Sequence, residues 1–278
     1  MSLKGASPPL GQNGRVFDRE SPVRYVAIGD SFTEGVGDEA ADGTPRGWAD
    51  RVAGGLATGL GRPVQYANLA IRGRLLAPII DEQLDAALNL TPTPTLLSLN
   101  GGGNDMMRPG TDLDQLIGLT EDVIRRCAEA GVPLLLLSGA DPSKGLPFGA
   151  KIHAKGEILT AALHELTAEK DLTFVDAFND RELRDRAEYW SPDRLHLAPI
   201  GHARVAGLVL TALGVPVPDT IAPTLAAARG PVAEARYYRQ HVLPWVVRRV
   251  RGRSSGDGRV AKYPSWRTIG PGVTERPA

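Results

Sequence analysis

Five residues of this chain have the types that nucleophilic acyl chemistry requires: Ser31, Gly73, Asn104, Asp193 and His196. A serine hydroxyl is a weak nucleophile near neutral pH and needs a base, most often a histidine held by an acid. Asp193 and His196 stand three residues apart in one loop, WSPDRLH at 190–196. That spacing sets a carboxylate beside the imidazole, where it fixes the tautomer and stabilises the imidazolium. Acyl transfer also needs donors at the developing oxyanion, and the backbone N–H groups of Ser31 and Gly73 and the side-chain amide of Asn104 can supply them. Glycine at 73 lets the backbone approach a ligand closely. No one of these residues is decisive, since serine also favours turns and helix N-caps. Their chemistry depends on a fold that brings them together.

The elements needed to do so can be read along the chain. Ser31 follows a short apolar run, Tyr25 to Ile28, that stops at Gly29 and opens into a glycine-punctuated loop. This reads as a buried strand delivering a serine at its carboxyl end. Further strands are expected over 64–71, 95–99, 132–137 and 172–175, that over 132–137 wholly apolar and therefore buried on both faces. Helical spacing predicts helices over 47–60, 75–90, 112–130, 150–170 and 199–213, with Gly131 terminating the third and Pro199 opening the last. The two prolines at 92 and 94 separate the second helix from the third strand. Strand and helix alternate five times through connections suited to crossovers, which implies a three-layer α/β/α fold around a five-stranded parallel sheet. In such a sheet all strand carboxyl ends lie on one edge, so Ser31, Gly73, Asn104, Asp193 and His196 can meet there.

Four ordered blocks then carry a family likeness. Gly29-Asp30-Ser31 with Thr33 and Gly35, Asn68 to Gly73, Gly102-Gly103-Asn104-Asp105, and Asp193 to His196 follow one another as in the SGNH hydrolases, also called the GDSL esterase/lipase family. The resemblance spans about Val23 to Leu213. It implies a flavodoxin-like SGNH hydrolase fold, Ser31 as nucleophile, His196 as base, Asp193 as its acid, and an oxyanion hole of Ser31, Gly73 and Asn104, with neither metal nor organic cofactor. Two positions depart from the pattern: Phe32 stands where the family name has leucine, and Ile71-Arg72-Gly73-Arg74 lacks the small polar residue often found around that glycine. The G-x-S-x-G elbow of the larger α/β hydrolases is absent at Ser31, because Thr33 occupies its second glycine position.

The expected reaction is hydrolysis of a small-molecule carboxylic ester: a small acyl ester, an acetylated sugar or a lipid ester. The alternatives are an acyltransferase using the same acyl-enzyme and a non-catalytic binding module on the same fold. Phe148, in the Gly/Pro-rich loop 139–149, and Trp190 are the expected substrate-pocket residues. The domain is expected over 21–214, preceded by a disordered leader (1–20) with neither signal-peptide nor anchor pattern. A basic extension (215–278) should be helical over 225–251 and irregular beyond Gly252.

Formal net charge is +0, giving no global field toward nucleic acid, and the single cysteine, Cys127, reads as a core residue. Residues 231–278 hold ten Lys/Arg against three Asp/Glu, a formal +7 that leaves −7 for the remainder. Packing of this extension on the oppositely charged body is the preferred reading over contact with a membrane surface. No segment has the apolar length of a transmembrane helix, so a cytoplasmic location is expected. Neither cofactor binding nor oligomeric state is indicated, and His202 reads as a packed histidine.

Overall fold

A computed structural model describes residues 17, 21–146, 149–170, 172–219, 221 and 255–272. The expected leader lies almost wholly outside them, as do the helix expected over 225–251 and Phe148. The described chain runs β1 (Val23–Gly29), α1 (Ser31–Glu34), α2 (Gly47–Leu60), β2 (Val64–Asn68), then α3 (Leu76–Pro78), a π-helical turn (Ile79–Leu84) and α4 (Asp85–Leu88) in succession. It continues through β3 (Leu96–Asn100), α5 (Gly103–Met106), α6 (Leu113–Glu129), β4 (Leu134–Leu137), α7 (Gly149–Glu169), β5 (Thr173–Val175), α8 (Arg181–Asp185), α9 (Pro199–Ala212) and β6 (Tyr263–Ile269).

The sheet has the order β5-β4-β3-β1-β2-β6. Its first five strands are parallel, and β6 joins β2 in antiparallel fashion. The sheet therefore has six strands rather than five, and the stretch beyond Gly252 is not irregular throughout. The pairing that forms β6 reaches back about two hundred residues, from Ile269 to Val64. Its local sequence, YPSWRTI, lies mostly exposed and carries no apolar run to announce it.

Side-chain alternation divides β1 between two cores. Val23, Tyr25 and Ala27 face one side with Trp48, Val52 and Leu56 of α2 and Val205, Val209 and Leu210 of α9. Val26 and Ile28 face the other with Ile79, Leu84, Val123 and Leu159. Three glycines inside α2 weaken its helical propensity by about 1 kcal/mol each relative to alanine. Full burial of a side chain such as Val52 or Leu56 contributes about 1.5 to 3 kcal/mol, so packing against α9 decides that this segment is helical. Gly55 has a packing reason: a Cβ there would sit 2.4 Å from a Leu210 methyl group.

Among the described residues no helix is long and apolar enough to cross a membrane. The sheet's consequence for the site is that β1, β2 and β3 run side by side and parallel. Their carboxyl ends deliver Ser31, the Gly73 loop and Asn104 to one edge.

Candidate active site

Ser31 opens α1 directly after β1. Gly29 ends that strand at φ +155°, with its Cα so close to β3 that a Cβ would lie 2.5 Å from the Asn100 carbonyl oxygen. Gln83, buried in the π-helical turn, holds both backbone groups of Gly29: its Oε1 accepts from the N–H at 2.8 Å and its Nε2 donates to the carbonyl at 3.0 Å. Asp30 caps α1, accepting from the Phe32 N–H at 3.1 Å. Behind the serine, Phe32 packs on Trp48 and on His202, with ring centroids 6.2 and 6.0 Å away. Ser31 itself is half-buried and faces a cavity.

The loop between α8 and α9 brings His196 to Ser31. Ser31 Oγ lies 3.0 Å from His196 Nε2, and His196 Nδ1 lies 2.6 Å from Asp193 Oδ2. A carboxylate at Nδ1 places the ring proton there and leaves Nε2 to accept from the serine hydroxyl. Asp193 Oδ1 accepts from the Ser191 hydroxyl at 2.6 Å and from the N–H groups of Leu195 and His196, both at 3.0 Å. Burial opposes ionisation of Asp193, but the hydrogen bond and charge of the His196 ring, with the smaller help of the His196 N–H and the Ser191 hydroxyl, outweigh it and hold the carboxyl well below its usual range.

On the other side of Ser31, the Asn104 amide donates to Asp30 Oδ2 at 2.9 Å and to the Arg74 carbonyl at 3.0 Å. Asp105 accepts from the Leu76 N–H at 3.0 Å. The β3 loop is thus latched at two points to the chain just after Gly73, which turns at φ +75°. Asp30 is almost fully buried, and burial pushes its carboxyl up to about 6 in spite of the donors from Phe32 and Asn104.

Ser31, Gly73, Asn104 and His196 all line one cavity of about 280 Å³. Its further walls are largely apolar, with Met106, Met107, Ile152, Leu159, Leu163 and Phe178. Of the two residues expected to shape it, Trp190 is a correction. Its indole N–H donates to the Leu183 carbonyl at 2.7 Å and its backbone pairs with Leu197, so the ring braces the His196 loop from outside the cavity. Among the described residues Phe32 and Phe178 are the phenylalanines that line the cavity, and Phe178, just after β5, is placed there only by the sheet's geometry. Gln83, the tie from Asp30 to Asn104, and Ser255 at the cavity edge were likewise not singled out by sequence pattern.

His202 takes the packed role expected of it. It accepts from the Trp48 N–H at Nδ1 and donates from Nε2 to the Val36 carbonyl, while burial pulls it down to about 4 and keeps it neutral. A second acid-held histidine, His153, meets Asp141 at 2.7 Å and stacks on Phe178.

A model of the GDSL-like Lipase/Acylhydrolase family matches residues 27–204. The chain belongs to this family. It is accordingly an acylhydrolase, an enzyme acting on ester bonds. Solved structures agree on the fold. TesA superposes with a TM-score of 0.57 at 23% identity, over 68% of this chain and 97% of its own. A catalytic mutant of Axe2, an acetylxylan esterase from Geobacillus stearothermophilus, gives 0.56 at 18% identity, over 72% and 98%. The psychrotrophic esterase EstA from Pseudoalteromonas sp. gives 0.54 at 15% identity, over 69% and 96%. No curated protein matches by sequence. The described segment 255–272 lies beyond the region matched by the family model.

Proposed function

We propose that this acylhydrolase works through an acyl-enzyme on Ser31, with His196 as general base and then acid, and Asp193 as the group that orients it. In the first step the Ser31 hydroxyl oxygen bonds to the ester carbonyl carbon while its proton passes to His196 Nε2. The tetrahedral intermediate collapses, the carbon–oxygen bond to the alcohol breaks, and His196 returns the proton to the leaving alkoxide. Water then repeats the sequence on the acyl-enzyme, releasing the acid and restoring Ser31. The backbone N–H groups of Ser31 and Gly73 and the Asn104 amide stabilise the oxyanion. Because the Asn104 amide already donates to Asp30 and Arg74, it shifts or shares one of these bonds when the oxyanion forms.

The observation that carries the reading is the continuous hydrogen-bonded series Ser31–His196–Asp193 opening on a cavity. The cavity's apolar walls support a substrate with an apolar acyl chain longer than acetyl. Each methylene buried there contributes about 0.8 kcal/mol, a two- to fourfold gain per carbon until the wall is reached. The test is a series of p-nitrophenyl esters from acetate to decanoate with wild type and Ser31→Ala. The expected result is kcat/KM rising beyond acetate and then falling, with no turnover by Ser31→Ala. Retained turnover by the pure variant would refute the nucleophile, and a maximum at acetate would refute the acyl class.

A further inference from the structure

The segment beyond the family-matching region returns to the active site. Gly256 is buried against the loop that carries Gly73: a Cβ there would lie 2.1 Å from the Arg72 carbonyl oxygen and 3.0 Å from an Ile71 methyl. Its neighbour Ser255 lines the same cavity as Ser31, Gly73 and His196. Six residues further on, Lys262 buries its ammonium group. Its Nζ donates to the carbonyl oxygens of Glu34, Pro45 and Arg46 at 2.6, 2.8 and 2.9 Å and to the Asp50 carboxylate at 2.5 Å.

These contacts converge on one pair. Glu34 is the last residue of the α1 turn that Ser31 begins, and Arg72 immediately precedes Gly73. The Glu34 carboxylate accepts from the Arg72 backbone N–H at 2.6 Å and from its guanidinium at 2.6 to 3.0 Å. Lys262 grips this pair at the Glu34 carbonyl and Gly256 presses on it at the Arg72 carbonyl. If the segment only added an edge strand to β2, the pairing of β6 with Val64 to Asn68 would suffice. A buried ammonium is costly unless fully partnered, and here three of its four partners are carbonyls of the chain after Ser31 rather than of β2.

We propose that residues 255–269 complete the active site, with Gly256 and Lys262 as positioning residues for the Gly73 loop and the Ser31 turn. This rests on the roles given above to Ser31 and Gly73. Two variants of the full chain test it by different routes. In Gly256→Ala the added Cβ must push the turn away from Arg72, and the backbone at 256 is not in the left-handed region that would itself resist alanine. In Lys262→Met combined with Asp50→Asn, the grip on Glu34 is removed without stranding a buried carboxylate.

The readout is kcat on p-nitrophenyl butyrate per serine labelled to completion by a fluorophosphonate, alongside KM and melting temperature. Because loss of an oxyanion donor costs 10²- to 10³-fold, a displaced one is expected to lower kcat per labelled serine about tenfold or more, with KM within about twofold. A strand that only stabilises the sheet would lower the melting temperature and the labelled fraction but leave kcat per labelled serine unchanged. That result in either folded variant would overturn the proposal. Full turnover by Ser31→Ala would instead remove the reading beneath it, and is distinguished because that variant leaves the C-terminal segment intact.

Discussion

Two carboxylates flank Ser31, and each holds a side chain that the proposed chemistry needs. Asp193 holds His196, and the His196 ring, aided by hydroxyl and backbone donors, keeps it ionised far below the usual carboxylate range. Asp30 orients Asn104 but lies almost fully buried with fewer donors, and burial raises it to about 6. The difference is one of function: an acid facing a developing imidazolium must remain charged at every working pH, whereas an acid aligning a neutral amide need only accept. Ionised charge stands on the His196 side of the serine, and a weaker, pH-sensitive acceptor on the Asn104 side.

Substitutions on the two sides should differ in that order. His196→Ala is expected to cost on the order of 10⁴- to 10⁶-fold in kcat, measured with p-nitrophenyl butyrate. Asn104→Ala should cost about 10²- to 10³-fold, most of it in kcat rather than KM. A loss in Asn104→Ala as large as that in His196→Ala would erase the proposed asymmetry. Asp30→Asn keeps one of the two acceptor oxygens that now serve the Phe32 N–H and the Asn104 amide, and should cost about tenfold or less, since no donor to the oxyanion is removed.

The two acids also predict opposite pH slopes of stability. The folded-state pKa of Asp193 is lowered, so its stabilisation is present above about pH 4 and is lost as pH falls below that. That of Asp30 is raised, so its contribution is full below about pH 4 and is lost as pH rises through about 6. Denaturant titrations from pH 4 to 7 should therefore show Asp30→Asn gaining on wild type as pH rises, by on the order of 2 to 3 kcal/mol. Asp193→Asn should lie below wild type by a constant margin from pH 4 to 7 and converge with it only when the titration is carried below about pH 4. Parallel curves for both variants would break the contrast.

What could be read in advance follows from the range of the interactions. The places of Ser31 and Asn104 and the parallel alternation of β1 to β5 were legible because apolar stretches such as those of β1 and β4 mark strands and both residues lie within four positions of a strand's end. Asp193 and His196 were legible because their contact spans three residues. The sixth strand was not, since Tyr263–Ile269 is largely exposed and takes its conformation from β2, far away in the chain. Gln83 was hidden in the same way: a glutamine on a helical segment shows no sign that it will pair with both backbone groups of Gly29. Trp190 misled because proximity to His196 in sequence says nothing about which side of the loop an indole takes, and its N–H found the Leu183 carbonyl outside the cavity.

In the proposed mechanism Ser31, activated by His196 and Asp193, is the nucleophile. Intact-protein and peptide mass spectrometry after treatment with a fluorophosphonate tests it most directly. One adduct per chain is expected, on the peptide containing Ser31, formed in step with the loss of ester turnover and absent in Ser31→Ala. Turnover lost without an adduct at Ser31, or an adduct there with turnover unchanged, would contradict it.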